Sequence, residues 1–221
     1  MPVETKGSER SRRRIVFLSP LGVIALGYSV QRLAGATMGA WASIPTILVF
    51  WGTLAALILW DGRDKPPRAW LATPRGSRVW PFLAVAVGLI AVTDFPSGWH
   101  VLKSPAVLAL WLAFGLLNPW FEEGYWRGLL IDATSHWPKG LGVVYSTALF
   151  VLSHPLIWGV NSAALRHPVA LAGATLLGAV WSLAYWRTGS LRWAIVGHTC
   201  ANLFGLALPV LLNLHTPSAL R

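Results

Sequence analysis

Two glutamates and an arginine lie close together in a segment of the chain that is otherwise apolar. The stretch 118–128 contains Glu122, Glu123 and Arg127. Placing an ionised side chain at mid-bilayer depth costs about 2.5 to 3.5 kcal/mol on insertion scales, so each of the three needs a partner, a polar cavity or a function. On a helix, Glu123 and Arg127 are four residues apart with the acid first, which is the favourable order for an ion pair. Glu122 points in another direction and is therefore the carboxylate available for chemistry.

Three further polar residues occur deep in apolar segments. His154 ends the run Phe150–His154, while His198 and Asn202 are four residues apart and share one face of a helix. A carboxylate beside a histidine can activate water, so Glu122 is expected to accept the water proton with assistance from His154. His198 and Asn202 would then donate hydrogen bonds to the tetrahedral oxyanion. Glu123 and Arg127 support this site, and the predicted reaction is amide hydrolysis without a covalent intermediate.

Composition places these residues in a membrane protein. Of the 221 residues 55% are hydrophobic and only 12% are charged, against about 25% charged residues in ordinary soluble domains. The mean hydropathy is +0.55. The single cysteine, Cys200, excludes an intramolecular disulfide and is expected to be a packing residue. Four histidines near segment ends are expected to be solvated: His100, His136, His167 and His215.

The apolar segments predict an all-α, multi-pass transmembrane bundle of about seven spans. The predicted spans are 15–30, 40–60, 79–93, 105–130, 141–156, 168–186 and 191–212. A disordered basic tail at 1–14 precedes a single transmembrane domain at 15–213, whose catalytic core is 105–212, and a short tail at 214–221 follows. Cleavage of the first apolar run as a signal peptide, after 34–36, is the less favoured interpretation.

The distribution of Lys and Arg predicts the orientation. With the N-terminus in the cytoplasm, most of the 18 basic residues fall in the tail and in inner loops, above all in the loop 61–78. The net charge of +10 is therefore explained by topology, and no nucleic-acid partner is expected. The expected location is the plasma (inner) membrane, and the expected partners are the lipid bilayer and a peptide or lipidated-protein substrate.

Small residues and one proline suggest how the spans meet. Gly124 and Gly128 form a G-x-x-x-G pattern on the fourth span, and Gly197, Ala201 and Gly205 repeat on the seventh. Such stripes let helix backbones approach closely, so they favour convergence of the spans that carry the polar residues. A second expectation is that Asn118 caps a helix restarting at Pro119, whose N-terminal dipole would favour ionised Glu122.

The three patterns, taken in order, resemble a known family. Glu122-Glu123-x-x-x-Arg127, Phe150-x-x-x-His154 and His198-x-x-x-Asn202 look like the three motifs of the CPBP (CAAX protease and bacteriocin-processing) intramembrane glutamic endopeptidases. That family includes the type II CAAX prenyl endopeptidases and bacterial Abi-type proteins. The resemblance covers roughly 105–212. It implies that Glu122 and His154 activate water and that His198 and Asn202 form the oxyanion hole.

Other functions stay open on these residues alone. No cofactor is expected, but Glu122, His154 and His198 are all capable zinc ligands and could form a zinc-dependent metalloprotease site. The absence of an H-E-x-x-H motif argues against zinc. Intramembrane Glu, His and Arg also build proton relays, so a proton-coupled transporter is an alternative, as is a non-enzymatic immunity protein.

Overall fold

The computed structural model describes residues 6–61, 67–138 and 140–220. Within these ranges the chain is helical and contains no strand, which confirms the predicted all-α class. A π-helical segment, Glu123–Leu129, joins two of the α-helices. The α-helices are α1 (Lys6–Met38), α2 (Ser43–Asp61), α3 (Val79–Leu89), α4 (Phe95–Gly98), α5 (Pro105–Glu122), α6 (Leu130–Ala133), α7 (Leu141–Leu156), α8 (Pro168–Thr188), α9 (Arg192–Phe204) and α10 (Ala207–Leu211).

Helices α1 and α2 form an antiparallel hairpin. Near its turn, Nε2 of Gln31 donates to Oγ of Ser43 at 3.2 Å, and at its open end Arg12 pairs with Asp61 at 3.3 Å. Because α1 begins at Lys6, the prediction of disorder is wrong for residues 6–14, while residues 1–5 lie outside the described part of the chain. The hairpin places α2 against the helix that carries the acidic pair.

Several helices are long and apolar enough to cross a membrane. Length and composition identify Arg12–Asp61, which contains both arms of the hairpin, and three further stretches: Pro105–Ala133, Leu141–Val160 and Pro168–Thr188. Val79–Thr93 and Phe95–Lys103 together form another candidate, bent by 41° at the break between them. These segments follow the first six predicted spans in order. None of the candidates found in the described part of the chain covers 191–212, and the total of seven crossings stays a prediction.

The predicted seventh span is not one continuous helix. Helix α9 ends at Phe204, and Leu206 adopts a left-handed conformation with φ of 51° before α10 begins at Ala207. A non-glycine residue in this region is uncommon, and here it turns the chain away from the axis of α9. The break follows Asn202 closely, so the predicted oxyanion donor lies in the last turn of its helix.

The small-residue stripe on α9 brings two helices into close contact. A Cβ added at Gly88 would overlap the carbonyl of Gly197, and one added at Gly197 would overlap the carbonyl of Ala84. Gly197 of this stripe therefore packs against α3, while α9 also contacts α5, the fourth predicted span. The close α3–α9 contact fixes the height and rotation of His198, one residue after Gly197.

The glycines of the G-x-x-x-G pattern also have other neighbours. A Cβ at Gly124 would lie 3.0 Å from Ile58 of α2, and one at Gly128 would lie 2.9 Å from the indole of Trp70. The pattern therefore faces α2 and Trp70. Its effect is to pack the π-helical segment Glu123–Leu129 against α2 and against the segment that follows α2. The opposite side of the π-helical segment is left for α7, α8 and α9.

Candidate active site

Glu122 is the last residue of α5 and is 4% exposed. Its Oε1 atom accepts a hydrogen bond from Nδ2 of Asn118 at 3.2 Å. Its Oε2 atom is buried and has no hydrogen-bond partner among the described residues. A buried carboxylate oxygen left without a donor costs free energy unless water or a substrate group meets it.

The proposed helix restart at Pro119 does not occur. Helix α5 runs from Pro105 through Pro119 to Glu122, so Asn118 is an interior residue rather than an N-cap. The dipole argument for Glu122 is therefore wrong. The side chain of Asn118 reaches Glu122 directly, over the four-residue spacing that brings helical side chains together.

The second glutamate forms the expected ion pair within the π-helix. Oε1 of Glu123 accepts from Nη1 of Arg127 at 2.9 Å, and both side chains are fully buried. The guanidinium also lies 4.2 Å from the ring centre of Phe150, and its Nε donates to Oγ of Ser182 at 3.4 Å. The π-helix is visible in the backbone, where the N–H of Leu130 donates to the carbonyl of Tyr125, five residues earlier. Such segments are frequent at functional sites.

His198 is held on two sides. Its Nδ1 atom lies 2.7 Å from Oε1 of Glu123, and its ring stacks on Trp181 with 4.6 Å between centroids and 16° between planes. The indole of Trp181 is itself fixed, because Nε1 donates to the carbonyl of Ala84 at 2.9 Å. With Nδ1 engaged by a carboxylate, Nε2 is the ring nitrogen left to serve the site.

Asn202 and His154 complete the polar group. Nδ2 of Asn202 is buried and has no partner among the described residues, so an amide donor is available one turn beyond His198. Nδ1 of His154 lies 2.8 Å from the carbonyl of Phe150. Because a carbonyl can only accept, Nδ1 carries the proton in this contact, and Nε2 of the neutral ring is the basic nitrogen.

A cavity of about 190 Å³ joins these groups. Glu122, His154, His198 and Asn202 all line it, together with Asn118. A second cavity, of about 350 Å³, shares the two histidines and Asn202 and continues along an apolar wall. That wall includes Val169, Gly173, Ala174, Leu177 and Ala201. The four residues predicted as catalytic therefore line one half-open cavity that adjoins a mainly apolar groove.

The C-terminal segment contributes to both cavities. Pro217 and Leu220 line each of them. The segment is fastened by Asp94, which accepts from the backbone N–H of Ser218 at 2.8 Å and lies 2.8 Å from Nε2 of His215. His215 is buried, so its predicted solvation is wrong. Cys200 is partly exposed and lines neither cavity, consistent with the packing role predicted for it.

The zinc alternative can be compared with the positions of the side chains. Among the residues that the structure describes, no three His, Cys, Asp or Glu side chains are grouped so that they could hold a metal ion. Glu122, His154 and His198 line the same cavity without forming such a group. The expectation that no cofactor is needed stays a prediction, and chelation provides the direct test.

Sequence reasoning did not identify several residues that shape the site. Nε1 of Trp51, in α2, donates to Oδ1 of Asn118 at 2.8 Å. Trp181 and Ser182 of α8 contact His198 and Arg127. None of these contacts has a local spacing signal, because each joins residues that are distant in the sequence. The only indication was the presence of a tryptophan and a serine inside otherwise apolar spans.

Comparison with known proteins agrees with the motif-based interpretation. Residues 104–204 match the model of one family, described as Type II CAAX prenyl endopeptidase Rce1-like. The matched region extends from just before α5 to the end of α9 and includes all four predicted catalytic residues. The family resemblance deduced from the motifs is thereby confirmed for this region. No curated protein and no solved structure matches the chain.

Proposed function

We propose, on the premise that residues 104–204 fall within the type II CAAX prenyl endopeptidase Rce1-like family, that this chain is an intramembrane endopeptidase. One observation supports the proposal above the others. The unpartnered Oε2 of Glu122 belongs to a side chain that lines a cavity with His154, His198 and Asn202. A buried carboxylate with one free oxygen beside a basic imidazole nitrogen is suited to binding and deprotonating a water molecule.

The reaction is hydrolysis of a peptide bond by that water. Glu122, assisted by His154, takes one proton from the water molecule. At the same time the oxygen of that water attacks the carbonyl carbon of the peptide bond. The carbonyl oxygen gains the negative charge of the tetrahedral intermediate. The C–N bond then breaks, and the proton is passed to the leaving nitrogen, which departs as an amine. General-base catalysis of this kind contributes typically 10²- to 10⁴-fold in rate.

The remaining two polar residues would stabilise the intermediate. Nδ2 of Asn202 is an unused donor, and Nε2 of His198 becomes a donor when the ring is protonated on both nitrogens. Nδ1 of His198 lies 2.7 Å from Oε1 of Glu123, and this contact holds the ring in place and leaves Nε2 free of it. Removing one oxyanion donor in a comparable site costs about 2.7 to 4 kcal/mol of transition-state stabilisation.

The surroundings of the site favour an apolar, membrane-associated substrate. The groove adjoining the polar cavity is walled by small and aliphatic side chains such as Ala170, Gly173 and Leu177. An extended peptide with apolar side chains, or a peptide carrying a lipid, would be desolvated there at little cost. The proposed setting is the plasma membrane, with a peptide or a lipidated protein as substrate.

A comparison of protein N-termini tests the activity and does not require the natural substrate to be identified. Membranes containing the parent protein, Glu122→Gln or His154→Ala would be compared by mass spectrometry of newly formed N-termini. An internally quenched farnesylated peptide ending in C-A-A-X and its unlipidated counterpart would be assayed with the purified proteins. N-termini formed by the parent alone support the proposal. Identical sets of N-termini, with equal cleavage of both peptides by all three proteins, would refute it.

A further inference from the structure

One chain of hydrogen bonds enters the candidate site from outside its motif residues. It begins at Nε1 of Trp51 on α2, which donates to Oδ1 of Asn118 at 2.8 Å. It continues from Nδ2 of Asn118 to Oε1 of Glu122 at 3.2 Å. Asn118 is 2% exposed, so its amide cannot exchange these partners for bulk water.

The indole determines which way round the amide lies. An indole N–H can only donate, so it must face the oxygen of Asn118 and not the nitrogen. The –NH₂ group is thereby turned toward Glu122, where it can donate to a carboxylate. If the amide were reversed, its oxygen would face the carboxylate oxygen, and both contacts would be repulsive.

The indole of Trp51 is in turn held by aromatic neighbours. It stacks on Phe121 at 5.3 Å between centroids and lies nearly parallel to Phe114 at 6.1 Å. Both phenylalanines belong to α5, as do Asn118 and Glu122. The stack therefore fixes α2 to α5 in the register that the hydrogen bonds require.

The consequence appears at the two oxygens of Glu122. Donation from Asn118 occupies Oε1, while Oε2 is left without a partner among the described residues. Fixing one oxygen restricts rotation of the carboxylate about its last torsion, which is otherwise broad. The free oxygen is thus held in place before water arrives, and such advance orientation of a reacting group lowers the barrier.

We propose that Asn118 is a positioning residue for Glu122 and that Trp51 acts through Asn118 by fixing its amide. This inference rests on the proposed function for its kinetic consequences and adds two residues to the machinery of the same site. Neither residue touches the reacting atoms. Their effect is to orient the carboxylate of Glu122, which contacts the reacting water.

The kinetic test uses the purified protein and a double-mutant cycle. Trp51→Phe keeps an aromatic ring in the stack and removes only the donor, while Asn118→Leu removes the amide at similar volume. Asn118→Leu is expected to lower kcat for the quenched peptide by about 10- to 100-fold with KM nearly unchanged, as for loss of a hydrogen bond to a charged group. Trp51→Phe is expected to lower kcat by a smaller factor, because its hydrogen bond is to a neutral amide. In the Asn118→Leu protein, the added Trp51→Phe change is expected to have no further effect.

Trp70→Phe provides the matched control. Trp70 is also buried and donates its indole N–H to a carboxylate, Oδ2 of Asp132 at 3.0 Å, but it lines neither cavity. Its loss is expected to lower thermal stability and to leave kcat unchanged. Additive effects of Trp51→Phe and Asn118→Leu on kcat, or an equal loss in Trp70→Phe, would overturn the inference.

A spectroscopic test separates this inference from the proposed function. The infrared carboxylate band of Glu122 is obtained as a difference spectrum for the parent and for each variant. In each case the spectrum of the protein with Glu122→Gln added is subtracted from the spectrum of the protein that keeps Glu122. Trp51→Phe and Asn118→Leu are expected to shift this band, and Trp70→Phe is not. An unshifted band in both variants would refute the positioning role even where the parent is an active protease. Peptide cleavage that persists in Glu122→Gln would refute the proposed function, whether or not the carboxylate band shifts in the other variants.

Discussion

Nδ1 of His198 lies 2.7 Å from Oε1 of Glu123, the same oxygen that accepts from Nη1 of Arg127 at 2.9 Å. One buried carboxylate therefore joins the π-helix to α9. The motif spacing indicated only the local half of this arrangement, the pair between Glu123 and Arg127. The structure gives Glu123 a second task, which is to orient the imidazole proposed as an oxyanion donor.

Glu123→Gln is expected to destabilise the protein strongly. The change leaves the fully buried guanidinium of Arg127 without the carboxylate that it contacts. Removing one partner of a buried ion pair costs about 3 to 5 kcal/mol, because the remaining charge stays desolvated. Thermal unfolding in detergent micelles measures the loss.

Asp61→Asn is the matched control for that variant. Asp61 also pairs with an arginine, Arg12, but both side chains are partly exposed, at 21% and 17%. Because this pair keeps some contact with water, the unfolding midpoint should fall less than in Glu123→Gln. Equal shifts in the two variants would show that Glu123 is not a structural counter-ion.

How much of the site was predictable depends on whether the contacts are local. The ion pair between Glu123 and Arg127 follows from helical spacing, and the shared face of His198 and Asn202 does as well. The π-helix could not be predicted, because no local spacing marks it, and the neighbours of Gly124 and Gly128 within it, Ile58 and Trp70, are distant in the sequence.

The contacts of Trp51 with Asn118 and of His198 with Glu123 join residues 67 and 75 positions apart. No periodicity in the sequence encodes such pairs. For the same reason the small residues of α9 did not identify α3 as their partner: they indicate that a helix approaches closely, and not which helix does so.

Gly88→Ala is expected to disrupt the contact between α3 and α9. The added methyl group would overlap the carbonyl of Gly197, and backbone atoms on both sides cannot yield as a flexible side chain can. Overpacking of this kind costs typically about 1 to 3 kcal/mol. Gly52→Ala is the control, because nothing lies within 4 Å of its added Cβ. Unfolding midpoints that are lowered equally in the two variants would contradict the close approach.

Asp94→Asn is expected to loosen the C-terminal segment that borders the cavities. Oδ1 of Asp94 accepts from both the backbone N–H and the hydroxyl of Ser218, at 2.8 and 3.0 Å, and Oδ2 lies 2.8 Å from His215. Hydrogen bonds to a charged group contribute about 1.5 to 3 kcal/mol each, and an amide weakens this set. Carboxypeptidase should therefore shorten the variant faster than the parent.

Ser97→Ala serves as the comparison for the Asp94 variant. The hydroxyl of Ser97 donates to the backbone carbonyl of Asp94 at 2.8 Å and only weakly to Oδ1 at 3.3 Å, so its removal leaves the bonds of the carboxylate to Ser218 and His215 in place. Its rate of C-terminal digestion should match that of the parent. A parent-like rate for Asp94→Asn would show that Asp94 does not hold the segment.

Chelation is expected to leave cleavage unaffected. No three metal-binding side chains are grouped among the described residues, and the proposed reaction takes its nucleophile from water activated by Glu122 and His154. Purified protein treated with EDTA or 1,10-phenanthroline should cleave the quenched peptide at the untreated rate, and metal analysis should find less than stoichiometric zinc. Loss of cleavage that is restored by added zinc would favour the metalloprotease alternative.

The most direct measurement is the initial rate of peptide cleavage by Glu122→Gln relative to the parent, at equal amounts of folded protein. Glutamine preserves the size of the side chain and its contact with Asn118 while abolishing its capacity to accept a proton from water. The proposed mechanism predicts a fall of about 10²-fold or more. A variant that cleaves at the parent's rate would contradict the assignment of Glu122 as the group that activates water.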